Sequence, residues 1–411
     1  MALLLRWTPQ IILILAIAAL VLVANPTEDL LTVGAIYAGL LAFASMSLNL
    51  LLGARLPPLE RLFNGMDKMF LQHRQFGYLA LAAAVAHWLS PPSFPQFLAA
   101  CDDVCKTAIE AGEIGFNLLA ILGIASIIRR RSFRGFRIPY HWWKLTHYLL
   151  LAAWALACFH LMFNRKMPAT YQGLAETLGV IGILCLILYV IGWGLRMART
   201  KTYLVEEVST GGGVVGIRAH PKGKGIRHRA GQFAFIRAKK PGLREAHPFT
   251  ISGGEDRDGV VQFNIKGLGD FTKRLHDDLK QGDELIVEGP YGDFSYPDRE
   301  GKQVWVAAGI GITPFLSFVR SMPDQIRGQV DMVYLVRTPD EAVGLAEFEA
   351  AAKRVDNFNF TLHPSEEKGR WPGIQDSTGD LKAVLFCGPP VLRDILKAKY
   401  GRKLRFEYFE F

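Results

Sequence analysis

The sequence has few cysteines, and none of them are spaced as in a zinc site. Only five cysteines occur among 411 residues, and no two form a Cys-x-x-Cys pair. No cluster of cysteine and histidine has zinc spacing, which excludes a structural zinc site of that kind. Cys101 and Cys105 lie close together in the chain. They are predicted either to form a disulfide, if their compartment is oxidising, or to remain two free thiols.

Two further signals are missing. No EF-hand loop occurs, so activation by calcium is not expected. No clear cleavage site follows the apolar segment after Arg6, so we expect this segment to be retained as a first transmembrane helix. The net charge of +9 does not indicate a nucleic-acid partner, because much of the surplus lies in loops between apolar segments, where it contacts lipid headgroups.

Long apolar runs are confined to the first half of the chain. A helix that crosses the hydrocarbon core needs about 20 mostly apolar residues. Six segments meet or nearly meet this length: 8–25, 31–52, 73–90, 114–128, 143–163 and 174–196. The sequence therefore predicts a membrane domain over residues 1–197, an all-α bundle of six helices in a lipid bilayer.

Positive charge sets the orientation of these spans, because loops rich in lysine and arginine stay in the cytoplasm. The basic loops follow the second, fourth and sixth spans, whereas the opposite loops carry mainly acidic residues; only Arg165 and Lys166 break the pattern. Both termini are therefore predicted to be cytosolic, in a multi-pass protein of the cytoplasmic (inner) membrane.

Four of the ten histidines lie inside predicted spans: His73 and His87 in the third, His147 and His160 in the fifth. Ionisable residues at membrane depth are costly and usually functional. The two in each span lie about 20 Å apart along a helix, too far to share one zinc ion. They suit two haem irons, each held by one histidine from each span.

The spacing within the fifth span is irregular for an ideal helix. Fourteen positions separate His73 from His87, which returns the chain to nearly the same helix face. Thirteen separate His147 from His160, which leaves them about 140° apart. Either the fifth span is distorted or its two histidines approach the haems from different sides.

This pair of spans resembles the ferric reductase and NADPH oxidase transmembrane family, which has six helices and two b-type haems. The resemblance implies that His73 and His147 hold the inner haem, and that His87 and His160 hold the outer one.

The second half of the chain reads as two globular parts. Short alternating strands between turn residues run from Tyr203 to about Ser295 and predict a small antiparallel β-barrel, assigned to 198–299. From Lys302 strands alternate with helices, which predicts an α/β domain over 300–411 with a nucleotide crevice at the carboxyl ends of parallel strands.

Two motifs in the barrel resemble the FAD site of the ferredoxin–NADP reductase family. In the first, the resemblance implies that His247 meets a flavin phosphate and that Thr250 faces the flavin N5 edge, as a catalytic residue. In the second, glycines precede a helix whose N–H groups suit a pyrophosphate; the alternative is a simple turn that Thr272 caps. The residues predicted to bind FAD are His247, Pro248, Phe249, Thr250, Ser252, Lys266, Gly269 and Thr272.

Two motifs of the α/β part resemble the nicotinamide site of the same family. A glycine pair at a strand-to-helix turn lets the backbone approach a dinucleotide pyrophosphate. Arg337 ends the next strand and is interpreted either as a contact to a ribose 2′-phosphate or as a solvated arginine. The residues predicted to bind NADPH or NADH are Gly309, Gly311, Thr313, Pro314, Arg337, Cys387, Gly388 and Pro389.

The chain ends in the aromatic sequence FEYFEF. This end is either an edge strand or, as the resemblance implies, an aromatic that covers the flavin and moves aside for nicotinamide. Phe409 is predicted to fill this catalytic, cofactor-binding position, and Phe411 is the alternative.

The resemblance covers nearly the whole chain and is closest to prokaryotic NADPH oxidase homologues. It implies an enzyme that passes electrons from NAD(P)H through FAD and two b-type haems to dioxygen, and no obligatory protein partner. A ferric or other metal reductase, or a haem relay to a partner protein, are the alternatives. Animal oxidases carry a further histidine four residues after the position of His87, where this chain has Pro91.

We expect Phe409→Ala to strengthen nicotinamide binding about two- to tenfold, because offset aromatic pairs contribute about 0.5–1.5 kcal/mol beyond area burial. The measurement is the dependence of FAD reduction on NADH and NADPH concentration. A folded variant with unchanged affinity for both would transfer the covering role to Phe411.

Overall fold

The computed structural model is helical in its first half and mixed in its second. It describes residues 7–24, 29–90, 101–131, 140–164, 169–256, 258–296, 300–374 and 380–407. The chain forms two compact units. The first comprises Met1–Leu59 and Lys68–Gly194, and the second comprises Glu60–Asp67 and Leu195–Phe411.

Eight α-helices occupy the described residues as far as Arg199. They are α1 (Thr8–Val23), α2 (Leu30–Gly53), α3 (Pro57–Leu62), α4 (Met66–Leu89), α5 (Asp103–Arg131), α6 (Tyr140–His147), α7 (Leu150–Phe163) and α8 (Ala169–Arg199). Asp29 caps α2, because its carboxylate accepts the N–H groups of Leu31 and Thr32.

Four stretches of the described helices are long and apolar enough to cross a membrane: Leu30–Gly53, Asp103–Arg129, Trp142–Phe163 and Thr170–Arg199. Helix α1 is apolar but shorter, and α4 has 24 residues that include several charged ones. The prediction of 114–128 for the fourth span was too short. Asp102 accepts the N–H of Cys105, so the helix begins at Asp103. The count of six spans stays a prediction.

The fifth predicted span is broken between α6 and α7. The N–H of Leu149 donates to the carbonyl of Thr146, and that of Leu151 donates to Tyr148, both three residues back. Such bonds tighten the helix to about three residues per turn and so change the angle between His147 and His160. The first alternative drawn from their spacing, a distorted span, is therefore correct.

The core of the first unit packs around two aromatic side chains. Phe43 of α2 stacks on Trp154 of α7 with ring centres 5.9 Å apart. The outward face of α8 leaves Ile183, Leu184 and Ile187 exposed. A face of this kind suits contact with lipid, where only hydrophobic side chains and internally satisfied backbone are tolerated.

The second unit contains a six-stranded antiparallel sheet in the order β4-β3-β6-β1-β2-β5. A bridge between Ile251 and Phe263 joins its edges and curls the sheet into a half-barrel. The strands are β1 (Thr200–Gly211), β2 (Val214–Pro221), β3 (Phe233–Ala238), β4 (His247–Thr250), β5 (Val261–Lys266) and β6 (Glu284–Tyr291), with α9 (Asp270–Asp278) between the last two.

A five-stranded parallel sheet follows, in the order β11-β10-β7-β8-β9. Its strands are β7 (Lys302–Ala308), β8 (Gln329–Val336), β9 (Phe358–Pro364), β10 (Leu381–Cys387) and β11 (Leu404–Phe406). Its helices are α10 (Thr313–Ser321), α11 (Leu345–Arg354), α12 (Ser365–Lys368) and α13 (Pro390–Tyr400). The strand order reverses at β7, and a reversal of this kind opens a crevice for ligands at the carboxyl ends of the strands.

The segment 60–67 is held in the second unit by a buried carboxylate. The Gly292 N–H, just after β6, donates to Glu60 at 2.5 Å. Burial raises the pKa of the Glu60 carboxyl, and this N–H and the charge of Arg199 oppose the rise.

Candidate functional site

The four membrane histidines form two pairs. The ring centres of His73 and His147 are 6.2 Å apart, and those of His87 and His160 are 6.4 Å apart. Two imidazoles that bind one iron from opposite sides, with bonds of about 2 Å, have ring centres about 6 Å apart. The spacing of both pairs therefore fits a bis-histidine haem site. The rings lie in the predicted pairs, and haem binding itself stays a prediction.

Each imidazole has its Nδ1 against an oxygen of a neighbouring helix. On α2, the carbonyl of Asn49 faces His73 at 3.1 Å and that of Ala35 faces His87 at 2.7 Å. An Nδ1–H that donates to a carbonyl leaves Nε2 as the free ligand atom.

Helix α5 supports the other two histidines in the same way. The Ala108 carbonyl lies 2.9 Å from Nδ1 of His160. The Ser126 hydroxyl lies 3.4 Å from Nδ1 of His147 and accepts the indole N–H of Trp143. In all four rings, Nδ1 thus contacts an oxygen of α2 or α5, and Nε2 remains available to bind a metal.

Two glycines make room for the outer pair. A Cβ added at Gly112 would lie 2.4 Å from Nδ1 of His160, and one at Gly39 would lie 3.0 Å from Nδ1 of His87. Helices α5 and α2 therefore approach these rings through backbone alone. Within the described residues no three histidine, cysteine or acidic side chains converge on a metal site, so each pair is a two-ligand arrangement.

Trp154, midway between the fifth-span histidines, has a packing role. It is buried, and its indole N–H donates to the Ser47 hydroxyl at 3.0 Å. Cys101 and Cys105 form a disulfide, which was one of the two alternatives.

The predicted flavin strand is β4. The centre of the His247 ring lies 4.1 Å from that of Phe271, and the Phe249 ring is stacked with Phe271 at 6.2 Å. Pro248 lies between His247 and Phe249 in the strand, and Thr250 is buried at its end. Ser252 is fully buried and donates to Asn264, so its hydroxyl supports the turn after the strand.

The second flavin motif is a capped helix start. Gly269 is the N-cap of α9, and the Thr272 hydroxyl accepts the N–H groups of Leu268 and Gly269, each at 2.9 Å. The capping alternative for Thr272 is therefore observed, and its pyrophosphate contact stays a prediction. Lys266 ends β5 and lies 3.5 Å from Glu341.

The two nicotinamide motifs lie side by side at the carboxyl ends of β7 and β10. Gly309 has φ +56°, which favours glycine, and a Cβ at Gly311 would lie 2.3 Å from the Cys387 carbonyl. A Cβ added at Gly388 would lie 2.8 Å from the Cβ of Ala308. Thr313 and Pro314 begin α10, and Pro389 caps α13.

Cys387 is a buried thiol. Burial, with a smaller effect from Glu407, raises its pKa well above the usual value. It therefore stays protonated and is unsuited to act as a thiolate. Its place under Gly311 indicates a role in shaping the turn.

Arg337 lines a cavity of about 300 Å³ with Gly309, Ser365 and Arg370. Its side chain is 69% exposed, with Nε 3.1 Å from Glu341 and 3.6 Å from Glu366. The structure is compatible with both interpretations: Arg337 is largely exposed to solvent, and it also lines this cavity. Its contact to a ribose 2′-phosphate stays a prediction. Phe409 and Phe411 lie outside the described residues.

Sequence reasoning missed the polar side chains of α10, the helix behind the glycine turn. Arg320 is the one charged residue of a helix whose other side chains are largely buried. A charge on such a helix was the available signal.

We expect Gly112→Ala to remove one of two haems per chain, because the added Cβ would displace His160. Glycine is less favourable than alanine inside a helix by about 0.5–1 kcal/mol, so a loss of haem would not reflect weaker helix formation. The matched control is Gly34→Ala, where nothing lies within 4 Å. Haem content per chain is the measurement, and full content in Gly112→Ala would contradict the outer site.

We expect Glu366→Gln to improve the apparent affinity for NADPH about two- to fivefold and to leave NADH unchanged. It removes one of the two carboxylate partners of Arg337, an ion pair worth about 0.2–1 kcal/mol, and leaves the pair with Glu341. Glu367→Gln, the next residue on the same short helix, is the control. Equal shifts for both nucleotides would place the 2′-phosphate away from Arg337.

The chain matches three protein families in order. Residues 38–158 match the family described as "Ferric reductase like transmembrane component". Residues 208–295 match "FAD-binding domain", and residues 305–397 match "Oxidoreductase NAD-binding domain".

Curated relatives are similar over about half of the chain or less. The reductase component of propane 2-monooxygenase from Rhodococcus jostii is 27% identical over 49% of this chain and 59% of its own. The glycine betaine monooxygenase reductase subunit from Pseudomonas aeruginosa is 34% identical over 33% and 38%. Human dual oxidase 1 is 27% identical over 51% and 14%. The chain thus spans 14 to 59% of the length of these relatives.

Among solved structures, a flavohaemoglobin from Malassezia yamatoensis with bound FAD and haem has a TM-score of 0.52 at 18% identity. The match covers 93% of this chain and 99% of that one. At this identity the likeness concerns the fold alone.

The order of the three families confirms the resemblance expected from the sequence. In the order of its three matched families, the chain has the domain architecture of ferric reductases and NADPH oxidases.

Proposed function

We propose that the chain is a transmembrane NAD(P)H oxidase. It moves electrons from cytosolic NAD(P)H through FAD and two b-type haems to dioxygen, and it releases superoxide on the outer side. The observation that carries this proposal is the pair of bis-histidine arrangements in the membrane unit, in one chain with FAD- and NAD-binding domains.

The chain's own residues supply the sites. When bound, a flavin accepts a hydride and releases electrons singly, and haem iron takes them one at a time. His73 with His147 and His87 with His160 offer four Nε2 atoms, and α2 and α5 hold their rings in place.

In the barrel, β4 presents His247, Pro248, Phe249 and Thr250 to the flavin. Thr250 ends the strand as a hydroxyl at the predicted N5 edge. Gly269 opens the N-terminus of α9, whose N–H groups suit a phosphate. Gly309 and Gly311 bring the backbone of β7 close to a dinucleotide, with Gly388 and Pro389 on the neighbouring strand.

The basic loops orient the protein with both termini and the nucleotide site in the cytosol, in the cytoplasmic membrane. No further protein is required by this scheme, because electron donor site, flavin site and histidine pairs belong to one chain.

The metal reductase alternative has weak support from the outer carboxylates. Asp102 and Asp103 are the adjacent acidic pair predicted to face outwards. Asp102 accepts the N–H of Cys105, and Asp103 pairs with Lys106 at 3.0 Å. Asp102 thus caps the start of α5, and the Asp103 side chain is 98% exposed, so the two carboxylates do not converge on a metal site and give the metal reductase no further support.

We expect the purified full chain to consume NAD(P)H and to reduce cytochrome c in a reaction that superoxide dismutase suppresses. His160→Ala should abolish this reaction and leave FAD reduction by NAD(P)H intact, because its ring lies in the outer pair only.

Reduction of a ferric chelate that is insensitive to the dismutase would instead identify a metal reductase. No steady NAD(P)H consumption by the isolated protein would identify a relay to a partner.

A further inference from the structure

Helix α10 connects the nicotinamide turn to the loop that follows the flavin strand. It begins at Thr313, directly after the 3₁₀ turn Gly309–Ile312. Ser317, Arg320 and Ser321 lie three and four positions apart, so they share one face of the helix. All three bond to residues of the barrel.

Arg320 makes the densest set of these contacts. One of its Nη atoms donates to the Ser252 carbonyl at 2.9 Å and to the Gln262 side chain at 2.7 Å. The opposite edge of the guanidinium makes a two-bond pair with Glu347 of α11, both at 2.7 Å. One planar group therefore joins two barrel residues to the nucleotide domain, with its side chain 23% exposed.

Two serines reinforce the contact. The fully buried Ser317 hydroxyl donates to the Gly253 carbonyl at 2.7 Å and lies 3.3 Å from the Gly231 N–H. The Ser321 hydroxyl accepts the Glu255 N–H at 2.9 Å.

Close backbone packing accompanies these bonds. A Cβ added at Gly254 would lie 3.0 Å from the Arg320 carbonyl. The loop 252–255 is thus pressed directly against the end of α10.

These bonds join two segments that each adjoin a predicted redox site, one for the flavin and one for the nicotinamide. Ser252 follows the flavin strand β4 by two residues, and α10 follows the glycine turn without a break. Hydride transfer needs the two reacting atoms about 3–3.5 Å apart, and an error of about 1 Å costs about 100-fold in rate. The planar guanidinium of arginine holds several charge-assisted hydrogen bonds in one plane, so it is suited to fixing a distance to within about 1 Å.

We propose that Arg320 is a positioning residue for hydride transfer. With Ser317, it fixes the separation between the flavin strand and the nicotinamide turn. Glu347 holds the guanidinium in the plane that this requires. This inference rests on the proposed reduction of FAD by NAD(P)H, and not on the haems or on the final acceptor.

The test is anaerobic stopped-flow reduction of FAD by NADH in the purified full chain, across a range of NADH concentrations. We expect Arg320→Ala to lower the limiting rate by about 100-fold and Arg320→Lys by about tenfold, because lysine keeps the charge and loses the fork. The NADH dissociation constant and the FAD content should be unchanged. The deuterium isotope effect with 4-deuterated NADH should rise as hydride transfer becomes slower.

Arg354→Ala is the matched control. Arg354 also bonds an acid, Asp324, and a carbonyl, that of Met322, but within the nucleotide domain alone. It should leave the limiting rate unchanged. Ser317→Ala and Glu347→Gln provide milder changes if Arg320→Ala does not fold, and each should lower the limiting rate without weakening NADH binding.

Two results would overturn the positioning role: wild-type limiting rates in the Arg320, Ser317 and Glu347 variants, or an equal loss in Arg354→Ala. Either result leaves the proposed oxidase intact if superoxide is still formed. Conversely, FAD reduction that depends on Arg320 in a protein that forms no superoxide would refute the oxidase and retain the positioning role.

Discussion

Four imidazoles placed among apolar helices impose the constraint on which the membrane unit depends. A buried ring nitrogen without a partner is costly where no water can replace the lost hydrogen bond. The chain meets this constraint with three backbone carbonyls and one serine hydroxyl of α2 and α5. Each of these oxygens accepts a contact in addition to those it makes within its own helix. Those contacts fix the rotation of the supporting helices. They also explain why Gly112 and Gly39 occur where α5 and α2 pass the outer pair, since any side chain there would separate ring and carbonyl.

A different constraint governs the second unit, where two nucleotide sites on separate sheets must be held at a reproducible distance. The solution is a helix that starts in one site and ends against the other. Its buried face is mostly aromatic and aliphatic, with Phe315 and Phe318 packed around Trp305. This packing holds α10 against the parallel sheet. The polar contacts of Ser317 and Arg320 then fix its position relative to the loop after the flavin strand. Apolar packing alone would resist separation of the two sheets. It would restrain sliding of one sheet along the other less, because it is not directional.

The chain is similar both to monooxygenase reductases and to dual oxidases, and it matches FAD- and NAD-binding families. A module shared so widely does not specify where its electrons go. Before this module, residues 38–158 match the ferric reductase-like family and contain the histidines of the inner pair and His87, with His160 just beyond. The acceptor therefore has to be argued from the membrane unit.

The sequence by itself determined the features that depend on local pattern. Apolar runs, strand alternation and glycine turns depend on neighbours in the chain, so the half-barrel, the parallel sheet and the side-by-side nicotinamide motifs were predictable. The histidine pairs were predictable too, because helix rise converts spacing into depth. Only the tertiary structure decided the features that depend on distant partners. The 3₁₀ break after His147 resolves a spacing that an ideal helix leaves ambiguous. The choice of the Thr272 hydroxyl as a cap, the carbonyls behind the histidines and the contacts of Arg320 likewise depend on atoms far away in sequence or on local competition among donors. Hydrogen bonds of this kind are directional and short-ranged. They depend on the folded positions of both partners, so composition and periodicity do not predict them.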